Sequence, residues 1–234
     1  MGEGDWVRLS GLVCARLCHD LVGPVGGVVN GVEFLAEDGM GDDALQLLAD
    51  SAARAARRLS FYRLALGAGG NPDERVAAGD LSAALAGYFT DERAGLDVIA
   101  WPSDGNVLRA HGGIVLCLAA ISAQALLRGG TVTIAWRTTV EGGSVSVVAE
   151  GGVMRLPETL VPSIEGRIDP AALDARTVLP FMVSEMAAAV AGRLAVATDW
   201  SGADLRRLTI TGDLPVFTAR AGVSSLERTG ETSP

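Results

Sequence analysis

The sequence predicts an α+β protein in two parts, a long helical hairpin followed by an α/β sandwich. Three observations predict it. Apolar residues recur at steps of three and four over the first 66 residues, the period of a helix face. The run Gly67-Ala68-Gly69-Gly70-Asn71-Pro72 then breaks that pattern as a linker. Beyond it, helical stretches alternate with short strand-like runs punctuated by Gly129-Gly130, Gly142-Gly143 and Ser201-Gly202, which reads as helices laid on a sheet.

The elements follow in order. Asp5 is placed to cap a first helix with Leu9, Val13, Leu17, Leu21, Val28, Val32 and Leu35 on one face. Glu37-Asp38-Gly39-Met40-Gly41 ends it. Asp42 or Asp43 caps a second helix, whose inner face carries Ala44, Leu48, Ala52, Ala55, Leu59, Tyr62 and Leu66. Two such helices leave an apolar seam uncovered if they stand alone, so a homodimer closing a four-helix bundle is expected. After the linker come a helix from Asp80 to Arg93, a strand from Leu96 to Trp101 and a long helix from Val107 to Arg128. Strands at Thr131 to Arg137 and Ser144 to Ala149 follow, then a helix from Thr177 to Ala191. Arg193 to Asp199 and Leu205 to Thr211 close the pattern as strands. The expected division is residues 1–70 for the hairpin, 71–220 for the second domain and 221–234 for a polar, disordered tail.

Composition removes several chemistries. All 19 basic residues are Arg; the 234-residue chain has no Lys. That excludes a P-loop lysine, a Schiff-base lysine and a kinase β3 lysine. With two His, His19 and His111, a histidine-built metal site is nearly excluded as well. The net charge of −9 argues against nucleic acid as a partner. Cys14, Cys18 and Cys117 lack CxxC spacing and read as free thiols of a cytoplasmic protein. No signal peptide is expected, since Glu3 and Asp5 fall in the first ten residues. No membrane segment is expected either: the stretch Gly113 to Leu127, read as the most apolar, is shorter than the ~20 residues a bilayer needs.

One segment conflicts with its own helix: Cys18-His19-Asp20-Leu21-Val22-Gly23-Pro24-Val25. Pro24 removes the hydrogen bond to the Asp20 carbonyl, and Gly23, Gly26 and Gly27 each cost roughly 1 kcal/mol in a helix interior. A bend just after His19 is expected. Such a conflict between local propensity and overall pattern marks a functional site. His19 lies two residues from Leu17 and from Leu21, so it points away from the apolar seam. An exposed imidazole is a neutral nucleophile near cellular pH.

The segment resembles the H-box of histidine kinases, with Cys18 in place of Ser and Val22-Gly23 in place of Arg-Thr. Arg16 to Gly26, with Asn30-Gly31 and Glu33, more closely resembles the ChpT-type histidine phosphotransferases of alphaproteobacteria. The ending Phe61-Tyr62-Arg63-Leu64-Ala65-Leu66-Gly67 is similar to the same family. The resemblance implies a phosphorelay protein. His19 would take a phosphoryl group from the receiver domain of a hybrid histidine kinase and pass it to the receiver domain of a response regulator. It also implies a second domain resembling a histidine-kinase ATP-binding domain that no longer binds nucleotide, with no cofactor on this chain and Mg²⁺ held by the receiver. Aligned to a working kinase, Cys117 and Ile121 replace the two asparagines that hold Mg-ATP, and both are poor ligands for a hard cation. Glu150-Gly151-Gly152 is a remnant glycine box, and Pro180-Phe181 stands where a glycine-rich lid would be.

The supporting residues keep two readings each. Asp20 pairs with Arg16 at i+4 or contacts a partner; a direct bond to its neighbour His19 is not expected, because adjacent helical side chains diverge by about 100°. Arg16 neutralises phosphoryl charge or is a plain surface arginine. Gly23 and Pro24 open the approach to His19. Asn30, about 16 Å further along the axis, touches a docked receiver or caps the bend. Arg63, with Arg54, Arg57 and Arg58, forms a receiver-docking surface or a solvated face. His111 reads as a turn or capping residue. An active histidine kinase with divergent ATP boxes and a non-enzymatic regulator that binds a receiver or kinase stay open as alternatives.

Overall fold

The computed structural model describes residues 3–36, 41–67, 71, 74–103 and 105–215. The expected helix-ending turn (residues 37–40), most of the linker and the expected tail lie outside them.

Helix α1 spans Glu3–Leu35 and α2 spans Gly41–Ala65, and the two pack along each other as a hairpin. Asp5 lies within α1 near its start, and Asp42 and Asp43 lie in the first turn of α2, where carboxylates favour the positive end of the helix dipole. Helix α1 runs through Pro24 without a break in its assignment. Glycine lets the two helices close up: a Cβ at Gly31 would stand 2.9 Å from Leu48 Cβ and 3.1 Å from the Leu48 backbone. Gly23 and Gly26 meet nothing within 4 Å and leave open space beside the helix. The inner face of α2 carries Ala44, Leu48, Ala55 and Tyr62, as the period predicts, but Ala52 and Leu59 face outward. Residues Leu45, Ala49, Ala52, Ala56 and Leu59 form an exposed stripe on α2, and Val22, Val25, Val29 and Val32 form one on α1. By length and composition alone, Asp5–Leu35 would suffice to cross a membrane, a helix the expectation of no membrane segment did not consider. Its apolar residues are spread around the helix and interrupted by polar ones, so no continuous run announces them.

The second part is built on a five-stranded sheet. Strands β1 (Arg75–Ala77) and β3 (Asn106–Leu108) form a small antiparallel ribbon beside it. The sheet takes β2 (Ala94–Ala100), β4 (Gly130–Thr138), β5 (Gly142–Glu150), β6 (Arg193–Ser201) and β7 (Asp204–Pro215) in the order β2-β4-β5-β7-β6. Strand β2 runs parallel to β4 and every other pairing is antiparallel. Val132, Ile134 and Trp136 alternate inward on β4, matched by Val145, Val147 and Ala149 on β5 and by Leu208 and Ile210 on β7. Against this row pack helices α3 (Ala78–Phe89), α4 (Arg109–Ala125) and α6 (Val178–Ala189), with a short α5 (Leu160–Ile164) and a 3-10 turn at Pro170–Ala172. Asp80 does not cap α3, which starts two residues earlier behind Ala77. Likewise α4 starts at Arg109, because Val107 and Leu108 pair with β1.

Hairpin and sandwich share one core. Phe61, Tyr62, Leu64 and Ala65 at the end of α2 are buried among α3 and α4 residues, and the Phe61 and Tyr88 rings lie 4.2 Å apart. Emptying a site such as Phe61 costs about 3–5 kcal/mol. At the other end, Leu9 is buried with Leu173, Val178 and Phe181, while Arg8 donates to the carbonyls of Pro170 and Leu173 at 2.6 Å. Three arginines of α2 complete the join. Arg57 donates to Asp91 through Nε (3.0 Å) and its terminal nitrogen (2.7 Å), Arg54 reaches the same carboxylate at 3.3 Å, and Arg58 pairs with Glu92. Arg58 also lies 4.2 Å over the Tyr88 ring. The three thus tie the hairpin to the end of α3.

Candidate functional site

His19 stands out of the middle of α1 with 76% of its side chain exposed. The residue beside it is the opposite: Asp20 is 11% exposed and turned toward α2. Its carboxylate collects three donors. Arg16 donates through Nε to Oδ2 at 3.0 Å, and the Tyr62 hydroxyl, from α2, donates to the same oxygen. Oδ1 is 3.0 Å from His19 Nδ1. The Arg16–Asp20 pair at i+4 follows the expected spacing. The His19–Asp20 bond corrects the expectation that the neighbours diverge: the Cβ directions do, but the side-chain torsions bring their tips together.

Electrostatics fix the protonation pattern. Burial alone would raise the Asp20 pKa; the Tyr62 hydrogen bond, the Arg16 charge and the His19 bond outweigh it and hold the carboxyl below its ordinary value. Asp20 is therefore an ionised group that can only accept hydrogen bonds. Tyr62 is buried, and burial together with the neighbouring Tyr88 and Asp20 pushes its phenol upward, so it stays protonated as a donor. It follows that Nδ1 of the neutral His19 ring carries the proton. The lone pair is then on Nε2, the nitrogen not bonded to Asp20.

The remaining expected residues scatter. Gly23 and Pro24 line a groove of about 400 Å³ with Asp50, Arg54, Arg57 and Asp91, on the side of α1 that faces α2 and the end of α3. Asn30 is exposed further along the helix. Arg63 is exposed and lines a separate hollow with Arg57, Asp80 and Arg109, away from His19. A larger cleft of about 790 Å³ opens between α1 and the sandwich. His19 and Arg16 form one wall; Gln124, Arg155, Thr159 and Arg176 stand on the other. His111 is not a turn or cap: it is buried in the first turn of α4, 3.2 Å through Nε2 from the Pro215 carbonyl, and burial lowers its pKa. Cys117 is fully buried with its Sγ 3.5 Å from the Ala65 carbonyl, and Ile121 is buried at the rim of the cleft. Among the described residues no group of three or more His, Cys, Asp or Glu side chains is placed to hold a metal ion. Tyr62 escaped the sequence reading because it falls on an apolar helix face. The available signal was its hydroxyl, which must find a partner when buried.

The fold is shared with a bacterial phosphotransferase structure, which superposes with a TM-score of 0.73, covering 88% of this chain and 96% of that one at 24% identity. The histidine kinase AdeS of Acinetobacter baumannii is also similar, at a TM-score of 0.45 and 10% identity over 85% of this chain and 98% of that one. Among sequences, the protein phosphotransferase ChpT of Brucella abortus (strain 2308) is 29% identical over 174 residues, 74% of this chain and 82% of that protein. Residues 78–201 match the histidine phosphotransferase C-terminal domain, and the chain belongs to that family. It is a histidine phosphotransferase of a phosphorelay.

Proposed function

We propose that His19 is the phosphoryl carrier. The observation that carries this reading is the exposed ring whose Nδ1 is held by an ionised Asp20, leaving Nε2 open to solvent. The donor is the receiver domain of a hybrid histidine kinase. The Nε2 lone pair attacks the phosphorus of its aspartyl phosphate. An N–P bond forms, the P–O bond to the aspartate breaks, and the carboxylate leaves with its electron pair. The ring keeps its Nδ1 proton and becomes positively charged, 3.0 Å from the Asp20 carboxylate. Asp20 stabilises that charge without taking the proton, since its pKa is lowered. The charged ring is in turn a good leaving group when the aspartate of a response-regulator receiver attacks.

Most of the catalysis of such a transfer is positioning and electrostatics. Gly23 and Gly26, with open space around them, let a receiver's backbone come close to His19. Magnesium comes with the receiver. The buried Cys117 and Ile121 support a second domain that does not hold Mg-ATP. Residues 1–70 act as the phosphotransfer hairpin and 71–220 as a platform fixed to it by the shared core and the arginine pairs. The exposed apolar stripes of α1 and α2 fit a homodimer closing a four-helix bundle, in the cytoplasm. The test is phosphoryl uptake from a phosphorylated receiver. Wild type gains label and His19→Ala does not; label retained by His19→Ala refutes the assignment.

A further inference from the structure

We propose that Tyr62 is a positioning residue for transfer at His19, acting through Asp20 from the opposite helix of the hairpin. The inference rests on His19 as carrier and adds the group that sets which ring nitrogen is free. Three facts lead to it. The two oxygens of Asp20 are divided: Oδ2 takes the Tyr62 hydroxyl and Arg16 Nε, which leaves Oδ1 aimed at His19 Nδ1. Tyr62 is itself buried, 5% exposed, edge-on to the Phe61 ring at 5.5 Å and set in the core shared by hairpin and sandwich. Arg16, the other donor to Oδ2, sits on the same helix as Asp20 and carries a long flexible stem, so it moves with the group it holds. Tyr62 alone of the three donors fixes the carboxylate from outside α1.

The consequence is mechanical as well as electrostatic. Without the hydroxyl, Oδ2 of Asp20 is held only by Arg16 from its own helix, and Oδ1 holds the Nδ1 proton less firmly. The ring then exchanges tautomers, and the fraction with the lone pair on the open Nε2 falls.

The variant is Tyr62→Phe, which keeps the ring and its packing. Three quantities are measured on the full-length protein: the His19 tautomer from ring ¹⁵N shifts, the melting temperature, and phosphoryl uptake. Uptake is read from phosphoramidate, which loses ammonia as its P–N bond breaks and the new N–P bond forms, and from a phosphorylated receiver at varied concentration. The expected result is Nδ1–H in the wild type, loss of that preference in Tyr62→Phe, and a maximal rate lower on the order of tenfold with the receiver's KM within about twofold. Arg16→Lys, which leaves Tyr62 in place, is expected to keep the wild-type tautomer. Equal tautomer populations in wild type and Tyr62→Phe overturn the proposal, including when the rate falls, because the loss is then structural. A wild-type ring protonated at Nε2 also overturns it, with no variant needed. Failure of wild type itself to take label at His19 overturns the carrier assignment instead, and the ring shifts tell the two failures apart.

Discussion

Replacing Asp20 by Asn keeps the shape of the site and removes its logic. The carboxylate accepts from Tyr62, from Arg16 at 3.0 Å and from His19 Nδ1 at 3.0 Å. An amide has one accepting oxygen and one donating nitrogen, so one edge must face donors with a donor. Turning the NH₂ toward Tyr62 and Arg16 would set a donor against two donors, one of them a guanidinium that is only 13% exposed. The amide oxygen therefore goes to that edge and the NH₂ faces His19, where it forces the lone pair onto Nδ1. Restoring the reactive tautomer then opposes two donors, a cost of ~1–3 kcal/mol, or a rate about 5–150-fold lower. Two charge-assisted hydrogen bonds also become neutral ones, which removes roughly 1–2 kcal/mol of stability and lowers Tm by about 2–8 °C. The pH dependence has a definite sign. The folded pKa of Asp20 lies below the ordinary 3.8, so its stabilisation is complete above that value and is lost as pH falls through the lower, folded one. The Tm gap between wild type and Asp20→Asn is thus full at pH 7 and closes only in acid below about 3.8. Quench-flow labelling from a phosphorylated receiver reads the rate and thermal melts read the gap. An Asn variant that transfers at the wild-type rate refutes the tautomer argument.

Other perturbations probe the parts around this site. Asp91→Asn removes the counterion shared by Arg54 and Arg57 at the join of hairpin and sandwich. Both arginines can re-enter solvent, so the cost is about 1–2 kcal/mol rather than that of a fully buried pair, and Tm should fall by about 2–8 °C in a thermal melt. Val25→Glu with Val29→Glu places charge in the exposed stripe of α1; light scattering should give a dimer mass for wild type and a monomer mass for the variant, and a wild-type monomer at micromolar concentration removes the bundle. Calorimetry with Mg-ATP should show no binding to the wild-type protein, whereas a micromolar Kd would restore the kinase alternative.

Much of the hairpin was legible because long amphipathic helices announce themselves by period, and His19 was legible because its segment breaks helix propensity without breaking the helix. The Arg16–Asp20 pair followed from i+4 spacing. Element starts were less legible: α3 and α4 begin behind Ala77 and Leu108, which make no side-chain caps, so the nearby Asp80 was misleading. Strands of three residues such as β1 and β3 carry no period at all. The other half of the site depended on contacts between elements. Period places Tyr62 on an apolar face without revealing that its hydroxyl reaches across to Asp20, and the basic run Arg54-Arg57-Arg58 reads as a surface until Asp91 and Glu92 fold against it. The bond between His19 and Asp20 is not legible for a different reason, since helix geometry fixes the Cβ directions and leaves the side-chain torsions open.

The central claim is that one exposed imidazole, open at Nε2, carries the phosphoryl group. The direct measurement is to phosphorylate the wild-type protein from a labelled receiver and locate the group by mass spectrometry under alkaline conditions, with ³¹P–¹H correlation to assign the nitrogen. The expected result is one phosphoryl group per chain on His19, bonded to Nε2. A phosphoryl group on His111, on a carboxylate, or on His19 Nδ1 would contradict it.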